Sequence, residues 1–336
     1  MTLPVQRTPR LTAVVPTRNR PELLARAVRS ALVNDLEVVV VDDHSAEDMS
    51  SVLASLDAGA VTVIRLERRR GPLFARNVAV RAATGDYVVM LDDDDVLMPD
   101  AAASITAAIA QAPGKRLFMH NVVDGEGRPS VRRNIGLVHL TISEWLQGST
   151  PGGVIRGDLL PVVARELFVQ DAYDDTGVGG EGLLWGRLIR EHGVVVSGKP
   201  VLRSTGDSGL DRLTSAWIQL SYTRENASVA ARWLDEFGEE LLACSPRRWE
   251  GRVIAAAAWE LMAGERRAAM RRLREADRLT RSRRLAAMEL GAAVMPTSLA
   301  RLAYLVHRRE LLATLRHIGV RRALTGKVSG ELASES

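Results

Sequence analysis

Cysteine is almost absent. Cys244 stands alone in 336 residues, so no disulfide can close within the chain, and this usage fits a reducing compartment. Long apolar runs are missing as well. Met1 to Arg10 has no apolar core of signal-peptide length. No stretch of about 18 uncharged apolar residues occurs, and the nearest, Leu285 to Val306, is broken by Glu289, Pro296 and Arg301. These absences predict a cytoplasmic protein with no spanning helix, with peripheral contact at the inner face of a membrane as the open alternative. His44, His120 and His139 are scattered without metal-ligand spacing and read as ordinary polar positions. Basic residues are not interleaved with aromatics in any recognised nucleic-acid module, so no nucleic-acid partner is expected.

What remains is the composition of a globular protein: 46% hydrophobic and 26% charged. The length admits one large domain and a smaller one. Charge divides the chain unevenly. The first 214 residues hold 24 Lys and Arg against 27 Asp and Glu, whereas the stretch from Ser215 onward holds 21 against 14. A basic rear suggests an anionic partner or a solvated arginine-rich helix surface, and the second is the simpler expectation.

Periodicity places the elements. Leu11 to Pro16, Glu37 to Val41, Val61 to Leu66 and Asp86 to Leu91 read as buried strands. Helices are expected from Pro21, with Asn19 or Arg20 at the cap, and from Gly71-Pro72 through Ala83, closed by Gly85 in a left-handed conformation. Another opens at Met98-Pro99-Asp100 and runs to about Ala112, as helix-start signals imply. Such alternation predicts an α/β fold: a mostly parallel, doubly wound sheet with its ligand site beyond the carboxyl ends of the strands. Farther on, Leu117 to Val123 and Val131 to Val138 are plausible strands, Val162 to Phe168 reads as helix, and Val194 to Ser197 and Val201 to Ser204 read as strands. From Ser215 the Ala, Leu, Arg and Glu content predicts antiparallel helices. The organisation expected is therefore a catalytic domain over 1–214, in halves 11–112 and 113–214, and a basic helical region over 215–336.

Asp92-Asp93-Asp94-Asp95 follows the fourth strand directly. Four adjacent carboxylates repel one another, and a bound cation relieves that repulsion. Magnesium and manganese take oxygen ligands, commonly one or two carboxylates plus phosphate oxygens. On an extended segment alternate side chains point the same way. Asp92 and Asp94 are thus expected to face one metal site, with Asp93 and Asp95 turned away or capping the next helix.

The segments Ala13-Val14-Val15-Pro16-Thr17-Arg18-Asn19-Arg20-Pro21, Val39-Val40-Val41-Asp42-Asp43-His44-Ser45, Gly71-Pro72-Leu73-Phe74-Ala75-Arg76-Asn77 and Gly85 to Asp95 occur in that order. Together they resemble the family 2 glycosyltransferases of the GT-A fold, strongly over residues 11–110 and more loosely to 210. The resemblance implies an inverting transfer of sugar from a nucleotide-diphosphate sugar (a UDP-, dTDP- or GDP-sugar) to an acceptor hydroxyl, with Mn2+ or Mg2+ as cofactor. It implies that Pro16, Thr17, Asn19, Asp42 and Asp43 hold base and ribose, that Arg76 and Asn77 lie near base and diphosphate, and that Asp92 and Asp93 complete the donor site. Asp94 and Asp92 are the implied metal ligands.

The same resemblance aligns Gly180-Glu181-Gly182-Leu183-Leu184-Trp185-Gly186-Arg187-Leu188 with a family helix that opens on Glu-Asp. Glu181 then falls where the general base stands, although the family usually has aspartate there. Asp174 and Asp175, just upstream, are alternatives. Gly177 to Gly182 matches G-x-G-x-x-G but follows a polar stretch and not a buried strand, so it reads as an acceptor loop. Arg203, in Arg203 to Ser208, is a candidate for closing over the diphosphate. Trp145, Trp185 and Trp217 read as core. The acceptor is a saccharide, a lipid-linked sugar, a peptide or a small metabolite, and the C-terminal helices are candidates for homodimer contacts. A non-catalytic nucleotide-binding relative and a sugar nucleotidyltransferase are the competing readings.

Overall fold

In the computed structural model the described residues are 7–54, 56, 59–151, 153–174, 179–205 and 215–308. They fall into two compact units: one from the first 207 positions with 239–245, the other from 208–238 with 246 onward.

The first unit is built on a nine-stranded sheet. Its elements begin with β1 (Leu11–Thr17), α1 (Pro21–Leu32), β2 (Glu37–Asp42), α2 (Met49–Leu53), β3 (Val61–Arg65), α3 (Pro72–Ala82), β4 (Tyr87–Met90), β5 (Asp95–Leu97), α4 (Ala101–Gln111) and β6 (Leu117–Val123). They continue with β7 (Leu137–Leu140), α5 (Ile142–Leu146), β8 (Ser149–Thr150), β9 (Gly153–Val154), β10 (Leu159–Ala164), α6 (Arg165–Gln170), α7 (Glu181–His192) and β11 (Val194–Ser204). Strand order is β3-β2-β1-β4-β10-β6-β11-β5, with β7 beside the first half of β11; β8 and β9 pair separately. The β3-β2-β1-β4 half is parallel, as right-handed β-α-β crossovers require. Beyond it, β10 runs antiparallel to both β4 and β6, and β6 pairs parallel with β11.

Both faces of the sheet are covered, and for that reason β1 and β6 are buried along their whole length. Period-two alternation sends successive side chains to opposite sides. Ala13, Val15, Val38 and Val40 pack with Leu24, Val28 and Ile105 of α1 and α4. Val14, Val39 and Val41 pack with Leu73, Val80, Phe168 and Leu184 of α3, α6 and α7. The edge strand β3 stays half exposed.

Several expectations are corrected. Val162 to Phe168 is not one helix: the chain is strand β10 to Ala164 and helix α6 from Arg165. Pro161 weakened the strand signal, yet β4 begins to pair only at Val162, so the missing N–H at Pro161 leaves no gap on that side. The two strands expected around residue 200 are one strand, β11, with register shifts between Ser197 and Leu202. Those shifts let it pair with β7 first and β5 later. Of Val131 to Val138, only the end joins a strand, because a 3-10 turn occupies Arg133–Ile135. Gly85 is not left-handed. It is needed because a Cβ there would lie 2.6 Å from Thr12 Oγ1 and 2.9 Å from backbone atoms of Arg10 and Thr12. Nor is His120 an ordinary polar position: it is wholly buried in β6 with no partner for either ring nitrogen, while His139 is exposed.

The second unit is helical: α8 (Ala216–Ser221), α9 (Thr223–Cys244), which runs on into residues of the first unit, α10 (Pro246–Met262), α11 (Arg266–Thr280), α12 (Arg283–Val294) and α13 (Thr297–His307). Several arginines here are structural. Arg266 donates to the carbonyls of Ala292, Ala293 and Met295 at the end of α12, and Arg301 donates to Met262 O at the end of α10. Both satisfy carbonyls that a helix end leaves unpaired. Arg272 pairs with buried Glu260 at 2.7 Å. No described helix is long and apolar enough to cross a membrane.

Candidate active site

The loops that leave β1, β2 and β4, together with the start of α7, supply the polar residues. After β4 the chain makes a turn closed by Asp95 N–H on Asp92 O at 3.2 Å. That turn breaks the alternation of an extended strand. Asp92 and Asp94 share a side as expected, but Asp95 joins them: one carboxylate oxygen from each lies within 4.8 Å of the others. Asp95 therefore does not cap α4, whose N-cap is Asp100.

Asp93 points the other way. It is buried and accepts hydrogen bonds from Thr17 Oγ1 at 2.8 Å and Arg20 Nη1 at 3.1 Å. Burial pushes its carboxyl up to about 6, with Arg20 and Thr17 opposing and the neighbouring aspartates adding to the rise. Asp95 is pushed up to about 7 by burial first and then by Asp92 and Asp94, against a hydrogen bond from Ser204. Three mutually repelling carboxyls on one side of a turn, all hard oxygen donors, form a group suited to a divalent cation. The donor set fits magnesium or manganese.

Arg76 lies between that group and the acceptor half. Its guanidinium, 10% exposed, donates to Asp92 through Nη2 and to Glu181 through Nη1. Burial disfavours its charge, and the two carboxylates more than offset this, so the guanidinium is held firmly ionised. Helical periodicity puts Arg76 on the sheet side of α3, and Glu181 is the first residue of α7. Asn77 beside it is bound to the backbone of Tyr173: Nδ2 donates to Tyr173 O at 2.9 Å and Oδ1 accepts from Tyr173 N at 3.0 Å. It fastens α3 to the segment before α7. Tyr173 packs edge-on to Phe168 and Trp185. Of the alternative bases, Asp174 is bound to Arg187 at 2.9 Å, and Asp175 lies outside the described residues, as do Gly177 and Val178 of the glycine-rich loop.

A second group surrounds the ends of β1 and β2. Asp42 is fully buried and its Oδ1 accepts from Ser45 N at 2.9 Å and Ser45 Oγ at 2.5 Å. Its Oδ2 has no hydrogen-bond partner, with Arg65 at 3.8 Å. A buried oxygen left in that state is an acceptor available to a ligand donor. Asp43 is more fully used: its carboxylate takes the N–H groups of Arg70 at 2.6 Å and Gly71 at 2.9 Å. Gly71 holds φ +90°, which only glycine adopts readily, so Asp43 and Gly71 together set the start of α3. Asn19 does not cap α1; in a left-handed conformation (φ 55°) it joins the two loops through Ser45 Oγ and Ala46 N–H, both at 2.8 Å. Pro16 is buried within β1, opposite Val41. Arg203 is exposed at the β5–β11 pairing, and residues 206–208 lie outside the described residues. The side chain of Trp217 also lies outside them, whereas Trp145 and Trp185 pack against the core as expected.

Sequence reasoning missed Arg20, which reaches Asp93 at 3.1 Å and Asp94 at 3.4 Å. A signal was available. Arg20 is the N-cap of α1, where the helix dipole disfavours a cation unless carboxylates answer it.

Comparisons with known proteins place the sequence and the fold among similar ones. The pattern described as glycosyl transferase family 2 matches residues 12–147. Among curated proteins, the succinoglycan biosynthesis protein ExoO of Rhizobium meliloti is 36% identical over 129 residues, covering 37% of each chain. The GalNAc(5)-diNAcBac-PP-undecaprenol beta-1,3-glucosyltransferase of Campylobacter jejuni is 28% identical over 189 residues, 54% of this chain and 60% of that protein. The chain thus spans between about a third and three-fifths of these relatives. Among solved structures, S. aureus TarS 1–349 with UDP superposes with a TM-score of 0.56 at 17% identity, covering 89% of this chain and 91% of the other; this likeness is one of fold. Over residues 12–147 the chain is thus similar to glycosyl transferase family 2, and its fold is GT-A-like.

Proposed function

We propose that the protein is an inverting glycosyltransferase that moves a sugar from a nucleotide-diphosphate sugar to an acceptor hydroxyl. The observation that carries this is the meeting of Asp92, from the acidic turn after β4, and Glu181, from the start of α7, at the one guanidinium of Arg76. A donor-side acid and an acceptor-side acid are thereby held by the two terminal nitrogens of a single guanidinium.

Asp92, Asp94 and Asp95 would hold the divalent cation, Mn2+ or Mg2+, which supplies Lewis-acid stabilisation of the leaving diphosphate when bound. Asp42, through its unpartnered Oδ2, is the acceptor for a base or ribose donor. Asp43 and Asn19 keep the surrounding loops in place. Glu181, about half exposed, is the carboxylate that takes the acceptor proton as the new bond forms.

The TarS structures include complexes with UDP and UDP-GlcNAc, and one relative is named as a glucosyltransferase on a polyprenol-linked saccharide. By that analogy a UDP-sugar is the first donor to try, and a saccharide or lipid-linked sugar the first acceptor. The test is a thermal-shift panel of UDP, GDP and dTDP and their sugars, with and without Mn2+. A ligand of the native state raises the melting temperature by mass action. At least one nucleotide should do so, more strongly with the metal; a panel in which none does contradicts the reading.

A further inference from the structure

Seven of the ten exposed large apolar side chains recorded for the described residues fall between Leu279 and Val306. They are not scattered around the helices that bear them. In α12, Leu285 and Ala292 are buried while Leu290 (73% exposed) and Val294 (80%) lie on the opposite side at helical spacing. In α13, Tyr304 faces Trp259 of α10 and Arg301 reaches Met262. Leu299, Leu302 and Val306 lie at i, i+3 and i+7 on the far side, where a water-facing helix carries charge. The neighbouring α11 obeys the ordinary rule, burying Ala269, Leu273 and Ala276 and exposing Arg267, Arg271 and Arg278.

The apolar faces are bordered by cations. Arg278, Arg281, Arg283 and Arg284 are all exposed around the α11–α12 turn, beside Leu279. Nearby Glu289 is already paired with Arg274 at 2.7 Å. Aliphatic side chains on outward helix faces, with arginines at one end, match a bilayer surface in which acyl chains take the leucines and anionic headgroups take the guanidinium groups. A second copy of the chain fits less well. A two-fold contact brings the same patch against itself, so the four arginines would find no anionic partner there, whereas headgroups supply one.

We propose that α12 and α13, with the arginines of the α11–α12 turn, form a surface that docks on anionic lipid membranes. The helices lie on the bilayer and do not cross it. The proposal stands apart from the transferase reading, because lipid binding is measured without turnover.

The test is co-sedimentation of the full chain with vesicles of phosphatidylcholine alone and with vesicles half phosphatidylglycerol. Two surface variants accompany it: Leu290→Glu/Val294→Glu/Leu299→Glu/Leu302→Glu, and Arg281→Glu/Arg283→Glu/Arg284→Glu. All seven side chains are exposed, and circular dichroism verifies that each variant folds. The wild type should partition to the anionic vesicles at least about tenfold more strongly than to the neutral ones, since each headgroup-facing arginine adds to the attraction. Each variant should lose most of that binding, and salt should weaken it. No sedimentation of the wild type overturns the proposal. So does binding undiminished in the variants, or binding lost only on deletion of residues 309–336, which would place the contact in that segment. A wild-type dimer in lipid-free solution that the leucine variant dissolves would assign the face to a second copy instead.

Discussion

At Arg76 one guanidinium meets Asp92 and Glu181, and its buried Nε is left without a partner. Only arginine can fork between two carboxylates in this way; a lysine ammonium reaches one of them as a point charge. If Glu181 is the base and Arg76 orients it, the two residues act as a unit and their losses do not multiply. Glu181→Gln is expected to lower the transfer rate by about 10²–10⁴-fold. Arg76→Lys should lower kcat while leaving UDP affinity within about threefold, and adding it to Glu181→Gln should cost little more, as non-additive pairs behave. Steady-state kinetics of the four proteins check this; losses that multiply would assign Arg76 a separate role, such as a direct contact to diphosphate.

His120 provides a second residue-scale prediction, this one on stability. Burial pushes its imidazole down to about 4. The unfolded chain therefore takes up a proton as pH falls below about 6.5, whereas the folded chain does not until about 4. The folded state is penalised progressively across that window, by about 3 kcal/mol at its lower end. Asp93 and Asp95, whose carboxyls are raised, favour the folded state over nearly the same range as pH falls. The histidine contribution is thus seen in the difference between wild type and His120→Leu. Urea unfolding at pH 7 and pH 4 should show the variant gaining on the wild type by roughly that amount; an unchanged difference contradicts it.

Among the elements, strands with uninterrupted valines and helices with Pro at the first turn were legible, because burial on both faces and helix-start geometry leave direct marks in the residues. The parallel half of the sheet and the acidic turn after β4 followed from those marks. The elements that were not legible depend on partners far along the chain. Strand β10 carries Pro161 and is specified by pairing with β4 and β6. Three-residue β5 exists because β11 receives it past a bulge. The site shows the same division. Asp92 and Asp94 could be named from their position at a strand end, and Asp42 and Glu181 from the family resemblance. That Asp95 turns back, that Asn77 binds the Tyr173 backbone and that Arg76 bridges two halves could not, since each is a tertiary contact. Gly85 marks the boundary well. Its identity signals a constraint, but the reason is the approach of Thr12, whose hydroxyl takes the Gly85 N–H at 2.9 Å. Gly85→Ala should destabilise the fold by about 1–3 kcal/mol, the usual cost of forcing a methyl into filled space. Chemical denaturation measures it, and a neutral result would mean that β1 gives way freely there.

On the scale of the whole molecule, the two units carry charge for different purposes. In the first, the acids gather at strand ends where repulsion calls for a cation. In the second, Arg266, Arg272 and Arg301 close helix ends and answer a buried glutamate, while the arginines of the α11–α12 turn face outward beside aliphatic side chains. The basic excess expected to be a solvated surface is thus in part internal scaffolding.

The central claim is that the Asp92–Asp94–Asp95 group is a metal-dependent donor site. The most direct measurement is release of nucleoside diphosphate from UDP-, GDP- and dTDP-sugars by the wild type and by Asp94→Ala, with Mn2+ and with chelator. The account predicts release by the wild type from at least one donor, lost with chelator and lowered at least about 10²-fold in the variant, in line with the loss of a charge-stabilising group. Release that survives both chelator and Asp94→Ala would contradict it.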